Sequence, residues 1–353
     1  MGSVLLTILG ALIVSLALYD FAKTTFLPSG QGPVTAIINH QIFSGLFYLA
    51  GKDGRKPILR YAGMWIILGI FSYWIFSLWL GMALIFCSDA YSVVNSQNMM
   101  PADVYEKIYY TGFTLSTLGV GDFVAGRDIW RLLTAFTAFL GLFIITLSIT
   151  YLVPVISDAG QKQVLGRFLM SLGGTPEQIV LNSYTGKDFT GISSQLSGLS
   201  SMIFTYTQNL LTYPVLHHMH NHDPRENIIL RMAALDEAVN IFLFHIPEDK
   251  RPEFQSLYIL RNALTSYLHI TTYLKIETDS PLPPKLKMIE EETGLRLINK
   301  SEKEMKEIYQ RLSNRRKLWY ANLLSDGWQW SDMTETKITD KLDMPLHKLK
   351  YHA

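Results

Sequence analysis

Three uncharged apolar runs dominate the first half of this chain. They extend over Val4–Tyr19, Met64–Cys87 and Leu132–Ser157. About 20 apolar residues in a helix are enough to cross a hydrocarbon layer of about 30 Å. The sequence therefore predicts an all-α membrane protein whose chain crosses the bilayer three times. A signal peptide is the alternative for the first run, although the residues MGS ahead of it include no basic residue.

Charged residues are concentrated after residue 157. Hydrophobic residues make up 48% of the whole sequence and charged residues only 17%, which is more apolar than an average soluble protein. This distribution predicts a membrane part followed by a soluble part. The formal net charge of +1 leaves no basic domain for binding nucleic acid. The single cysteine, Cys87, cannot form a disulfide within the chain.

Basic residues are unevenly divided between the loops, and this asymmetry predicts orientation because basic loops favour the cytoplasmic side. The segment from residue 88 to 128 contains only Lys107 and Arg127. The segment between the first and second runs contains Lys23, Lys52, Arg55, Lys56 and Arg60. We therefore expect the N-terminus and residues 88–128 outside the cell, and everything after Ser157 in the cytoplasm.

A shorter helix is predicted between the first two runs, over Val34–Ala50. Polar residues interrupt this stretch, so it is not expected to span. Its apolar residues recur at intervals of three and four and therefore share one helical face; they are Val34, Ile38, Ile42, Leu46 and Leu49. Two interpretations remain open: a helix lying in the inner membrane interface, or one packed against the soluble part.

A glycine pair lies between the second and third runs, in the stretch TLSTLGVGDF, Thr114–Phe123. Ahead of it, Pro101, Asp103 and Glu106 favour the start of a helix too short to cross a membrane. A dinucleotide-binding loop would need a third glycine where Val124 stands. A short helix followed by glycine-rich backbone instead predicts a re-entrant loop whose carbonyl groups line a path for cations.

This order of span, short helix, glycine pair and span resembles the potassium channel family, whose signature is T-x-G-[YFVL]-G-D. The matching residues here are Thr117, Leu118, Gly119, Val120, Gly121 and Asp122. The resemblance covers about residues 61–157. It implies a selectivity filter over Thr117–Gly121 in which carbonyl groups of residues 117–120 and the Thr117 hydroxyl coordinate K⁺. Potassium is then the transported ion, and no cofactor is expected.

Residues around the glycine pair depart from the commonest family pattern. Val120 replaces the usual tyrosine and lacks its hydroxyl, and Phe113 stands where some members have a buried acid. We expect the filter to be braced more by apolar packing than by hydrogen bonds. The resemblance assigns filter support to Tyr109, Tyr110, Thr114, Ser116 and Asp122.

The third run also carries features of a gate. Gly141 stands midway along it, where family members often have a hinge glycine. A close contact between helices is the alternative explanation, because small residues are common where membrane helices meet. Ile145, Ile149 and Val153 follow at intervals of four. A ring of such side chains can close a pore by dewetting.

One chain supplies one filter strand, so the resemblance implies a homotetramer embedded in the lipid of the cell membrane. The predicted parts are an N-terminal transmembrane helix (1–24), a cytoplasmic loop with an interfacial helix (25–60), a pore domain (61–157) and a cytoplasmic helical regulatory domain (158–353). The implied function is passive conduction of K⁺. A weakly selective monovalent cation channel and a non-conducting membrane sensor or scaffold are the alternatives.

The soluble part has helical patterning throughout. Thr175 followed by Pro176, with Gln178 three residues after the threonine, predicts a helix start. Strong helical patterns follow over Ile228–Leu243, Pro252–Ile276 and Glu302–Leu324. We find no nucleophile elbow, phosphate loop, kinase or metalloprotease motif, and therefore expect no enzyme. No motif identifies a ligand or a protein partner.

Four histidines lie close together in LHHMHNHDPREN. They are His217, His218, His220 and His222. A solvated turn between helices is the commonest setting for such a cluster. A divalent metal site and a proton sensor near neutral pH are the alternatives that the chemistry of imidazole allows.

Overall fold

The fold was taken from a computed structural model that describes residues 2–27, 30–271, 280–284, 286–298 and 300–334. Most of these residues are helical, which confirms the predicted class of an all-α membrane protein with a helical C-terminal part. The helices are α1 (Gly2–Phe26), α2 (Pro33–Leu49), α3 (Ala62–Cys87), α4 (Val104–Leu115), α5 (Asp128–Leu172), α6 (Pro176–Asn182), α7 (Ser193–Thr212), α8 (Ile228–Phe244), α9 (Phe254–Ile270), α10 (Lys287–Thr293), α11 (Glu302–Ser325) and α12 (Trp330–Thr334). The strands are β1 (Val93–Asn95) and β2 (Phe123–Ala125).

Among the described residues, three helical segments are long and apolar enough to cross a membrane, as predicted; they are Ser3–Phe26, Pro57–Cys87 and Asp128–Leu172. The last is much longer than its apolar run, because α5 continues through Pro154 for 45 residues. It ends where Gly173 adopts a φ of 152°. The end of the apolar run at Ser157 is therefore not the end of the helix.

The chain divides into two compact units. The first unit consists of residues 1–44, 63–157 and 212–215. Within it, α1 crosses α3 at a pair of glycines, because a Cβ placed on Gly10 would overlap the Gly81 carbonyl oxygen. Small residues allow this close approach of two helix backbones.

Asp20 connects three helices of the first unit. Its side chain is fully buried near the end of α1. The carboxylate accepts hydrogen bonds from the amides of Val34 (2.8 Å) and Thr35 (3.1 Å) in the first turn of α2. It also accepts from the Thr35 hydroxyl (2.5 Å) and from Trp74 Nε1 (3.1 Å) on α3. These donors satisfy the buried charge, so α1 continues past the aspartate to Phe26.

The short helix α2 packs against a transmembrane helix rather than presenting one regular apolar face. Ile38 and Ile42 lie beside Gly69 of α3. Leu49, assigned to the apolar face by its spacing, is 72% exposed, whereas the polar residues Thr35 and Asn39 are buried. The predicted face is therefore only partly correct, because Asp20 binds the start of α2 and fixes which side turns inward.

The second unit consists of residues 45–62, 158–211 and 216–353. Its centre is α8, which packs with α6, α9, α11 and α12 and is buried on every side. Asn227 caps this helix by accepting hydrogen bonds from the amides of Ile229 and Leu230. Thr175 caps α6 by accepting from Gln178, which confirms that predicted helix start. The predicted pattern over Pro252–Ile276 corresponds to α9, with residues 272–276 outside the described part of the chain.

Charged pairs lie inside this core. Arg316 binds Glu237 through two hydrogen bonds of 2.8 Å, and both side chains are almost fully buried. Arg315 and Arg261 both bind Asp236, at 2.6 and 3.1 Å. Because α8 has partners all round, its carboxylates can be neutralised inside the core instead of on a solvated face.

Removal of one member of a buried ion pair from this core is expected to destabilise the fold. The change Glu237→Ala leaves the Arg316 guanidinium buried without its carboxylate, which should lower the free energy of unfolding by about 3–5 kcal/mol. Thermal unfolding of the purified protein in detergent measures the change. Glu248→Ala is the matched control, because its carboxylate is 83% exposed in the pair with Arg251. Equal melting temperatures for the two variants would contradict a structural role for Glu237.

Candidate ion pathway

The short helix α4 begins with a complete capping box. The Asp103 carboxylate accepts from the Glu106 amide (2.9 Å), and the Glu106 carboxylate accepts from the Asp103 amide (2.7 Å). At its other end, the amides of Thr117 and Leu118 donate to the carbonyls of Thr114 (3.0 Å) and Phe113 (2.9 Å). The helix start and the turn that follows the helix are therefore both fixed by local hydrogen bonds.

The backbone after α4 alternates in handedness. Thr117, Gly119 and Gly121 have positive φ angles of 58°, 59° and 87°, whereas Leu118 and Val120 do not. Successive carbonyl groups of an ordinary strand point to opposite sides. Alternation between left- and right-handed residues brings them to the same side, and glycine adopts the left-handed form without steric cost. Thr117 does so despite having a side chain.

The carbonyl oxygens of residues 117–121 are free. They accept no hydrogen bond from any residue in the described part of the chain. The first neighbouring carbonyl that does is that of Asp122, which accepts from the Ser96 amide at 2.9 Å. The segment is also open, since Leu118 is 71% and Val120 49% exposed. The row of carbonyl oxygens is therefore available to accept from or coordinate another ligand.

A small two-stranded sheet and the helix α4 hold this loop. Strand β1 pairs antiparallel with β2, with Val93 opposite Ala125 and Asn95 opposite Phe123. The sequence pattern did not predict these two strands, because each has only three residues. They bring the chain back directly after Asp122, so the glycine pair is anchored on both sides.

Hydroxyl groups contribute to the support of the loop. Tyr110 shares a hydrogen bond of 2.6 Å with the Thr134 hydroxyl on α5, and the Tyr109 hydroxyl interacts with the Asp122 carboxylate. Aromatic contacts surround them, since Phe113 packs edge-to-face on both tyrosine rings. Helix α4 is therefore held by both aromatic packing and a tyrosine hydrogen bond to α5, and predominantly apolar bracing of the filter stays a prediction.

Thr114 and Ser116 occupy different environments. Thr114 is buried at the end of α4, and its carbonyl accepts from the Thr117 amide. Ser116 is exposed, and its hydroxyl donates to the Phe113 carbonyl at 3.2 Å. Both therefore stabilise the transition from the helix to the glycine pair through the main chain.

Gly141 marks a close contact between α5 and the end of α4. A Cβ built on it would overlap the Leu115 carbonyl oxygen and approach the Leu115 carbonyl carbon to 2.7 Å. The neighbour is main chain, which a rotamer change cannot move. The close-contact explanation of this glycine therefore has direct geometric support, whereas its role as a hinge stays a prediction.

The predicted gate residues lie on an open stripe of α5. Ile145, Ile149 and Val153 are 45%, 58% and 63% exposed. The opposite side of the helix is buried and includes Ile144 and Val155. Ile145 and Gly141 also border an apolar cavity of about 330 Å³ between α3, α4 and α5, where Trp79 forms one wall.

A second cavity, of about 620 Å³, lies beside the glycine pair. Thr117, Gly119 and Gly121 line one side of it, and Arg131 and Thr134 of α5 line another. It is open to solvent in the single chain. The backbone that carries the free carbonyls is therefore not covered from this side by the rest of the first unit.

The four clustered histidines do not form one site. Burial, followed by the nearby charges of His218 and Lys162, lowers the pKa of His217 to about 3, so this ring is neutral. His220 is buried between Asp326 and the Gly54 carbonyl. No three His, Cys, Asp or Glu side chains among the described residues are placed to hold a metal ion. The residues that contact His220 are distant in sequence, so no local pattern indicated them.

Comparisons with known proteins agree with this geometry. A family model described as an ion channel matches residues 62–158. An uncharacterized membrane protein of Bacillus subtilis, YdjJ, is 32% identical over 296 residues, which cover 83% of this chain and 86% of that protein. No solved structure matches the chain. The similarity to the bacterial protein extends well beyond the residues matched by the family model. The chain therefore belongs to the ion channel family, as a membrane protein with a pore loop between two transmembrane helices and an additional apolar helix at its N-terminal end.

Proposed function

We propose that this chain forms a potassium-selective channel that conducts K⁺ passively through a homotetrameric pore in the cell membrane. The observation that carries the proposal is the row of free carbonyls over Thr117–Val120, generated by alternating backbone handedness. Carbonyl oxygens in a ring replace the hydration shell of K⁺. The Thr117 hydroxyl supplies the innermost oxygen of each strand.

In a tetramer, neighbouring copies of the chain would cover the exposed surfaces of the first unit. A single strand of carbonyls cannot surround an ion, whereas four related by a fourfold axis can. The cavity beside Gly119 and Gly121 offers space for a neighbouring copy, and its wall of Phe113, Thr114 and Ala138 is mostly apolar. The exposed stripe of Ile145, Ile149 and Val153 then lines the inner pore and closes it by dewetting.

The second unit serves as a regulatory domain in the cytoplasm. The basic residues between the first two spans support a cytoplasmic position for residues 52–60, and therefore an external position for the filter mouth. Helix α5 leads without a break from the gate residues into this unit. A movement of its helices therefore has a direct covalent path to the gate. We assign it no enzymatic activity.

Reversal potentials of the purified protein in lipid bilayers test the selectivity. With K⁺ on one side and Na⁺ on the other, a selective pore should reverse far from zero, shifting by about 59 mV for each tenfold change in permeability ratio. Measurable current that reverses at zero would reject potassium selectivity and favour a weakly selective cation channel. Val120, which replaces the usual tyrosine of the filter, is the residue that would account for such weak selectivity. Absence of current through protein shown to be tetrameric would favour a non-conducting sensor or scaffold.

A further inference from the structure

A buried cluster in the second unit joins four segments that are far apart in sequence. Gly54 comes from the turn before α3, Lys162 from the later part of α5, His220 from the loop before α8, and Asp326 and Trp328 from the end of α11. We call these five residues the His220 clasp. The segment with Gly54 leads into α3, and the segment with Lys162 is a continuation of α5. The clasp therefore joins the chain before one transmembrane helix to the chain after another.

The hydrogen bonds of His220 require a doubly protonated ring. Its Nδ1 lies 2.8 Å from Asp326 Oδ1, and its Nε2 lies 2.6 Å from the Gly54 carbonyl oxygen. A carbonyl oxygen and an ionised carboxylate only accept hydrogen bonds. Both ring nitrogens must therefore donate, so the imidazole carries a positive charge. The ring stacks on Trp328 with a centroid distance of 6.0 Å, and its side chain is fully buried.

The partners of Asp326 keep its charge in place. Its other oxygen accepts from Asn227 (2.9 Å) and from Trp328 Nε1 (3.1 Å). Burial raises the pKa of Asp326, but the charges of His220 and Lys162 and these hydrogen bonds hold it below the usual 3.8. The carboxylate is thus ionised at any physiological pH and available to bind a cation.

Several other titratable or charged groups lie near His220, and none of them besides Asp326 favours its positive charge. The Lys162 ammonium donates to the carbonyls of Leu216 (3.1 Å) and Met219 (2.8 Å), on the same loop as His220. Burial lowers the pKa of Lys162 to about 8, against the charge of Asp326, so this group also loses its charge between pH 7 and 9. His217 is neutral, as described above. The Arg55 guanidinium lies over the Trp328 ring at 6.0 Å and binds Asp332. Burial, followed by the nearby groups Tyr267 and Asp326, raises the pKa of the Tyr206 phenol, which therefore stays neutral.

The balance of these groups places the titration of His220 above that of an ordinary histidine. Burial lowers its pKa, but the Asp326 charge, the hydrogen bond to that carboxylate and the Gly54 carbonyl together raise it above 6.5. A group whose pKa is raised by folding contributes stability below its unfolded pKa and loses it as the pH rises through the folded pKa. The clasp therefore weakens on the alkaline side.

Loss of one proton places a nitrogen lone pair against an acceptor, and one of the two contacts of His220 must break. We infer that the His220 clasp couples cytoplasmic pH to channel opening. Alkalinisation breaks the contact between His220 and the Gly54 carbonyl, and so releases the turn at Gly54 from the loop whose carbonyls bind Lys162. The inference rests on the proposed function as a channel. It identifies one histidine of the cluster as the sensor and assigns the other three no part in sensing.

The first test measures single-channel activity while the cytoplasmic pH is stepped from 7 to 9. Open probability of the unmodified channel should change reversibly by at least about threefold. His220→Gln cannot carry the charge, so at pH 7 its open probability should already be shifted toward that of the unmodified channel at pH 9. The response that remains in this variant, from Lys162, should be much smaller. His269→Gln, which changes an exposed histidine of the same unit, should retain the full response.

A second variant separates sensing from a merely structural role. Asp326→Asn removes the charge that raises the His220 pKa, so the midpoint of the pH response should move to a lower pH than in the unmodified channel. A conducting channel with no response between pH 7 and 9 would overturn the inference while leaving the proposed function intact. An unshifted response in His220→Gln would overturn it as well.

Thermal unfolding tests the clasp even if the protein does not conduct. The melting temperature of the full-length protein should fall by several degrees between pH 7 and 9, whereas that of His220→Gln should start lower and change much less. His269→Gln provides the comparison for general effects of alkali. Identical profiles for the unmodified protein and His220→Gln would show that His220 is not charged in the fold and would overturn the inference.

Discussion

The change Gly119→Ala is expected to abolish potassium-selective current while the protein still folds. The φ of 59° at this position is strained for any residue with a Cβ, at about 1–2 kcal/mol per chain. No other atom lies within 4 Å of the Cβ position, so the cost is one of conformation and not of collision. The backbone can relieve the strain by rotating the peptide, and this turns a carbonyl away from the ion path in every subunit.

Bilayer recordings of Gly119→Ala together with its melting temperature measure this effect. Gly45→Ala is the matched control, because it adds the same methyl group in a helix where nothing lies within 4 Å and φ is not positive. The control should conduct normally. Potassium-selective current through Gly119→Ala similar to that of the unmodified protein would contradict the assignment of this backbone to the filter.

The change Gly141→Ala is expected to reduce both stability and current. Its methyl group would meet the Leu115 carbonyl, which is main chain at the end of α4. Extra atoms in a packed site without room typically cost about 1–3 kcal/mol. Here the displaced group lies two residues before the proposed filter, so the geometry of its carbonyls should be disturbed. Bound K⁺ should then raise the melting temperature of the variant less than that of the unmodified protein.

Thermal unfolding with and without K⁺ distinguishes the two explanations of this glycine. Gly160→Ala lies on the same helix with nothing within 4 Å and should leave stability unchanged or slightly raise it. If Gly141 acts only as a hinge, its alanine variant should open less often but melt like the control. A variant that melts as the control does would therefore reject the close-contact role.

Local signals explain how much of the fold was predictable. The three spans follow from uncharged length alone, and the starts of α4 and α6 follow from capping residues next to them in sequence. Each depends on residues within a few positions of one another. The glycine pair is also a local signal, because glycine adopts the positive φ angles found at Gly119 and Gly121 without steric cost.

Contacts between distant segments explain what was missed. The buried side of α2 is set by Asp20, which lies in another helix and binds Thr35. The burial of α8 depends on arginines about 80 positions later in the chain; Arg316, for example, donates a hydrogen bond to Glu237. His220 differs from its neighbouring histidines because of Asp326, which no spacing rule connects to it. Such pairings become visible only when the chain is folded.

The hydrogen bonds of Asp20 also bear on how the protein is made. All its partners, the amides of Val34 and Thr35, the Thr35 hydroxyl and the Trp74 indole, are synthesised after α1. An aspartate at the centre of an inserting helix costs about 2.5–3.5 kcal/mol, and less nearer its end. The carboxyl group of the first helix therefore lacks these hydrogen-bond partners until α2 and α3 have been made. Insertion of this half of the channel should accordingly proceed as one cooperative step during biogenesis, with the first helix held by the translocation machinery until the third is available.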